Sequence, residues 1–156
     1  MCIRDSDIGN VINRHDHAQT GALMAFRILV KMGMPPREVA LVITAIGNHD
    51  EGTASPVNEL AAALILADKS DVRRSRVRNK NIASFDIHDR VNYAVEQSQL
   101  VVNKEKKTIS LNLTVDVQTG TLLDYFEIFL ERMLLCRRAA HFFDMDFLLI
   151  VNGQIL

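Results

Sequence analysis

The chain has 156 residues, 48% of them apolar and 24% charged, which is enough to bury the core of an ordinary globular domain. A net charge of −1 excludes a global field that would draw the protein to nucleic acid or to a membrane surface. Two cysteines, Cys2 and Cys136, exclude a disulfide framework and zinc-finger spacing, and no apolar run is long enough to span a bilayer, so the expected compartment is cytoplasmic.

In chain order, residues Asn13 to Met32 read as a helix, with Gly33 as its C-terminal cap and Pro35-Pro36 barring continuation. Pro36 opens a second helix that runs toward His49 on a stripe of Val39, Val42, Ile43 and Ile46. Ser55-Pro56 reads as the cap and first position of a third helix reaching about Asp71. A basic stretch from Arg73 to Asn81 follows, then a short helix from about His88 to Gln97, with Asp89 in its first turn. Residues Thr108 to Val117 then alternate apolar and polar, the period of a half-buried strand, and Leu100–Val102 is its expected hairpin partner. Thr121 and Asp124 resemble a capping box for a long helix, Leu122 to about Phe143. Phe147–Val151 reads as a strand and Asn152-Gly153 as a turn. The expected architecture is therefore mainly α: a helical bundle over residues 7–97, then a small α+β tail over 98–156 with antiparallel strands and one long helix.

Polar residues on the apolar stripes are the functional signal. His17, Gly21, Met24 and Ile28 share one face of the first helix. Val42, Ile46 and His49 share one face of the second, and Val57, Ala61, Leu64 and Asp68 one face of the third. Any one of these is better read as a satisfied core residue. Together, two imidazoles and a carboxylate aimed inward from separate helices form a donor set for a divalent metal such as Mn, Fe or Co. His15 and Asp16 read as bystanders, because residues one or two apart on a helix point elsewhere.

The segments Asp7-Ile8-Gly9-Asn10, His17-Ala18-Gln19-Thr20-Gly21, Asn48-His49-Asp50-Glu51-Gly52 and Leu66-Ala67-Asp68-Lys69-Ser70-Asp71 resemble, in order, the motifs of the HD-domain metal-dependent phosphohydrolases. The resemblance implies an HD-type bundle and hydrolysis of a nucleotide or another phosphate ester. It also implies a divalent cofactor (Mn, Fe, Co or Mg). By the same resemblance Asp7 is a metal-bridging carboxylate, His17 and His49 ligate one metal, and Asp68 ligates the other. Lys69 contacts a substrate phosphate, and Arg73 and Arg74 help to neutralise developing charge. Asn48 stands where bimetallic members often carry another histidine. Ser6 stands where the signature has a histidine, so residues 1–6 read as an unrelated leader on a truncated domain with an impaired first metal site.

Two other functions are compatible with these residues: a degenerate HD domain serving as a ligand-binding or interaction module, and a di-iron oxygenase. The expected partner is a phosphate-containing small molecule. The Lys69–Lys80 run carries six basic residues but no interleaved aromatics, which argues against RNA or DNA. The Phe126, Phe129 and Met133 face of the long helix reads as core or as a homo-oligomer surface.

Overall fold

Helices build the first half of the computed structural model, and a four-stranded sheet with two helices builds the second. It describes residues 6–51, 54–77, 85, 87–116 and 122–156. The chain divides into two compact units, Met1–Asp68 and Lys69–Leu156.

In the first unit, a single 3-10 turn, Ile8–Val11, precedes helix α1, His17–Lys31. The predicted start at Asn13 fails because Asp16 takes a left-handed conformation with φ 56°, which keeps residues before His17 out of the helix. At the other end Gly33 (φ 78°) closes a Schellman motif, with Met34 N donating to Leu29 O and Gly33 N to Val30 O. Helix α2, Pro36–Gly47, begins on Pro36. Helix α3, Glu59–Lys69, begins later than Ser55-Pro56 suggested. Asn58 is its true cap: its Oδ1 accepts from Ala61 N at 2.8 Å. Val57 therefore precedes the helix and is half exposed, while Ala61, Leu64 and Asp68 keep to the buried stripe. Ala45 of α2 and Ala61 and Leu64 of α3 pack as one buried cluster. The stripe on α1 fades toward solvent: His17 and Gly21 are buried, Met24 is half-buried and Ile28 is exposed.

The second unit corrects the expected fold class. Helix α4, Ile87–Ala94, stops at Ala94, and Val95 immediately opens a nine-residue strand, β1, Val95–Asn103. Glu96 to Gln99 favour helix locally, but antiparallel pairing with β2, Thr108–Val115, decides their conformation. Strands β3, Asp146–Val151, and β4, Gln154–Ile155, complete a four-stranded sheet of order β1-β2-β3-β4. The protein is thus an α+β fold with a mixed sheet, and the mainly α HD-type bundle with an antiparallel tail does not stand. Strands β2 and β3 are parallel, with Leu111 opposite Leu149 and Leu113 opposite Val151. The reason is the 21-residue helix between them, α5, Leu122–Phe142. At about 1.5 Å per residue it spans about 31 Å, enough to carry the chain back along the strand to its starting end.

The alternation read in β2 is observed: Ile109, Leu111, Leu113 and Val115 are buried. Helix α5 packs on β3, and Phe129, Met133, Leu135, Cys136, Ala139 and Ala140 are its buried residues. Phe129 and Met133 are therefore core. Asn152 (φ 50°) and Gly153 (φ 82°) form the predicted tight turn between β3 and β4, both in the left-handed region that a type I′ turn requires. The predicted Thr121 and Asp124 capping box, Val117, the Phe126 side chain, Gly52, Cys2 and most of the basic run's end lie outside the described residues. No described helix is long and apolar enough to cross a membrane.

Candidate metal centre

Two glycines set the geometry of the site. A Cβ on Gly9 would overlap the backbone carbonyl of His17, and a Cβ on Gly21 would sit 3.3 Å from Gly9 N. Without those side chains the 3-10 turn lies directly on the first turns of α1. Gly9 has no left-handed φ, so its requirement is space and not backbone freedom. Asp7, just before the turn, is thereby held over His17, the first residue of α1. Ser6 is fully buried beside this contact, its carbonyl 3.3 Å from where a Cβ of Gly21 would be.

His49 arrives from the end of α2. That helix stops at Gly47, and two side chains then satisfy its last carbonyls. Asn48 Nδ2 donates to Thr44 O at 2.9 Å, and His49 Nδ1 lies 2.6 Å from Ile46 O. His17 makes the matching contact, Nδ1 to Arg14 O at 2.9 Å. A carbonyl oxygen only accepts, so in both rings Nδ1 carries the proton and donates. In the neutral rings Nε2 is then a bare lone pair. Backbone contacts of this kind fix the tautomer of metal-bound histidines.

Both Nε2 atoms point at one carboxylate oxygen. Asp7 Oδ1 lies 3.3 Å from His17 Nε2 and 3.5 Å from His49 Nε2. The rings meet edge to face, 5.2 Å between centroids. His17 and His49 are buried, whereas the Asp7 side chain is 34% exposed. Three acceptors facing one another repel unless a cation lies among them. Donors held by one ion at about 2.1 Å stand about 3.0 Å apart at octahedral angles and about 3.4 Å at tetrahedral ones. The observed 3.3 and 3.5 Å lie at and just beyond the upper end of that range, and Asp7, His17 and His49 are a buried cluster able to hold a metal ion.

Asp68, the other predicted ligand, is buried near the end of α3 but is not a member of that three-residue cluster. Lys69, the last residue of α3, is buried as well. Arg73 and Arg74 serve the second unit. Arg73 Nε pairs with Asp71 at 2.8 Å. Arg74 donates from Nε to Tyr93 O at 2.7 Å, lies over the Tyr93 ring, and comes within 3.8 Å of Glu96 and 4.0 Å of Asp116. His15 and Asp16 pair with each other in solvent. Asp89 occupies the first turn of α4, where the sequence placed it. Asp50, quoted in the sequence only as part of a motif, also comes near: its Oδ1 lies 3.9 Å from His17 Nε2, though like Asp68 it stands outside the three-residue cluster. Its signal was its place directly after His49, beyond the end of the helix.

Comparison with protein-family models, with curated proteins and with solved structures finds no match for this chain.

Proposed function

We propose that the protein is a divalent-metal-dependent phosphohydrolase whose ion is held by Asp7, His17 and His49, acting on a nucleotide or another phosphate ester. The observation that carries this reading is the convergence of two proton-fixed imidazoles on one carboxylate oxygen, at 3.3 and 3.5 Å. The resemblance of the segments around Asp7, His17 and His49 to HD phosphohydrolase motifs supplies the reaction class. The set of two nitrogens and one oxygen suits Mn, Fe or Co, and Mg less well.

A divalent ion bound here supplies a Lewis acid for a phosphoryl oxygen and lowers the pKa of a bound water. The chain's residues supply position. His17 and His49 form the buried floor, and their Nδ1–H groups are spent on Arg14 O and Ile46 O, so neither ring can turn away. Asp7 forms part of the solvent-facing side, where substrate arrives. Ser6 brings no imidazole, so a second ion has no part in the proposal and slow turnover is expected.

The test is phosphate release from a panel of nucleotides and phosphomonoesters by the full chain with Mn²⁺, Fe²⁺, Co²⁺ or Mg²⁺. Release that needs the metal and disappears in His49→Ala and Asp7→Asn is expected. Metal binding without release from any substrate would overturn the hydrolase reading. Two histidines and one carboxylate also match the donor set of mononuclear iron oxygenases. Oxygen uptake by the Fe²⁺-loaded chain, dependent on the same residues, would select that reading instead.

A further inference from the structure

We propose that Asp50 is a fourth ligand of the same ion, making the site a set of two histidines and two aspartates. The inference rests on the metal reading given for Asp7, His17 and His49. Asp50 follows His49 directly, yet both side chains serve one site. They can do so because α2 ends at Gly47 and Asn48 leaves helical geometry (φ −116°, ψ 20°), so successive side chains no longer diverge by a helical step. Asp50 Oδ1 lies 3.9 Å from His17 Nε2 but outside the mutual 4.8 Å spacing that groups the donors of Asp7, His17 and His49, so its side chain reaches the ion by turning toward it.

Charge supports the same assignment. His17 Nδ1 is committed to Arg14 O, so Nε2 alone faces the two carboxylates, Asp7 at 3.3 Å and Asp50 at 3.9 Å. A divalent ion satisfies both, since two carboxylates neutralise it while two neutral imidazoles complete four donors. Exposure is divided in the same way. The imidazoles are 4% and 1% exposed and make the floor, whereas Asp7 and Asp50 are 34% and 35% exposed and make the rim. A rim of two carboxylates leaves fewer open positions than a facial set of three donors.

The experiment is calorimetric titration of the full chain with Mn²⁺ alone, for wild type, Asp50→Asn, Asp50→Glu and His17→Ala, with Co²⁺ absorption spectra of each. Asp50→Asn is expected to weaken Mn²⁺ at least about tenfold and to change the Co²⁺ ligand-field bands, with Asp50→Glu recovering part of both. Its metal-free melting temperature is expected to match wild type. Wild-type Mn²⁺ affinity and an unchanged Co²⁺ spectrum in Asp50→Asn would overturn the assignment, even if His17→Ala abolishes binding. Failure of wild type to bind, or binding unaffected by His17→Ala, would overturn the three-residue centre itself.

Discussion

Gly9→Ala adds one methyl group where the backbone carbonyl of His17 already lies. That carbonyl is part of a helix and cannot rotate aside as a flexible side chain would. The 3-10 turn must therefore lift by about 1 Å merely to leave the range that real Cβ contacts never show. Overpacking of this kind costs about 1–3 kcal/mol, which lowers the melting temperature by several degrees. The functional cost is larger, because Asp7 rides on the same turn. Starting from 3.3 and 3.5 Å, a lift of about 1 Å leaves Asp7 Oδ1 more than about 4 Å from both imidazoles. At that separation one ion cannot reach all three donors. Mn²⁺ affinity is expected to fall about 10–100-fold, by analogy with loss of an orienting contact. Calorimetric titration gives the affinity and thermal denaturation without metal gives the stability. A Gly9→Ala protein with wild-type melting and wild-type Mn²⁺ affinity would refute the idea that this close approach positions Asp7.

Three further outcomes follow from the packing. Asn58→Ala removes the cap of α3 and should cost about 1 kcal/mol in urea denaturation, with Asn58→Ser recovering most of it. Leu111→Ala, in the fully buried centre of β2, should cost about 2–5 kcal/mol by the same measurement; a loss below 1 kcal/mol would mean that β2 is not central. Asn152→Ala loses two hydrogen bonds to Val115, at 2.8 and 3.0 Å, and a residue suited to positive φ, for a loss of about 1–3 kcal/mol. In that last variant, hydrogen exchange should quicken at Val115 before it quickens at Leu111.

The helices of the first unit were legible because burial writes a period of three to four into the chain. His17 and His49 stood out as polar residues on such stripes. Asp7 did not: no periodicity links it to His17, and only its motif suggested a role. Its position depends on a contact between Gly9 and Gly21, and a glycine in a sequence does not say which other glycine it meets. Asp50 was hidden by helical reasoning itself, because neighbouring residues diverge on a helix but not beyond its last turn. In the second unit the alternation of β2 was plain, since one face is buried. Of β1 only Leu100–Val102, the expected hairpin partner, was legible; Val95–Gln99 was not, because β1 lies at the sheet edge with its polar residues exposed and little buried surface to impose alternation. Strand direction is not written in periodicity at all. The parallel pairing of β3 follows from the length of α5, which could have been weighed at the outset.

The side chain of Asn152 closes on Val115 across 37 positions of sequence. The hairpin of β1 and β2 closes through the short turn at Lys104–Lys107. These two closures belong to different moments of folding. The hairpin pays little loop entropy and can form early, whereas the parallel pair must wait until α5 has formed and brought β3 back. Asn152 then acts as a latch that engages only on correct return. Substitutions at Leu111 are accordingly expected to slow folding, while those at Leu149 and Asn152 mainly hasten unfolding, and the reverse pattern in stopped-flow kinetics would contradict this order.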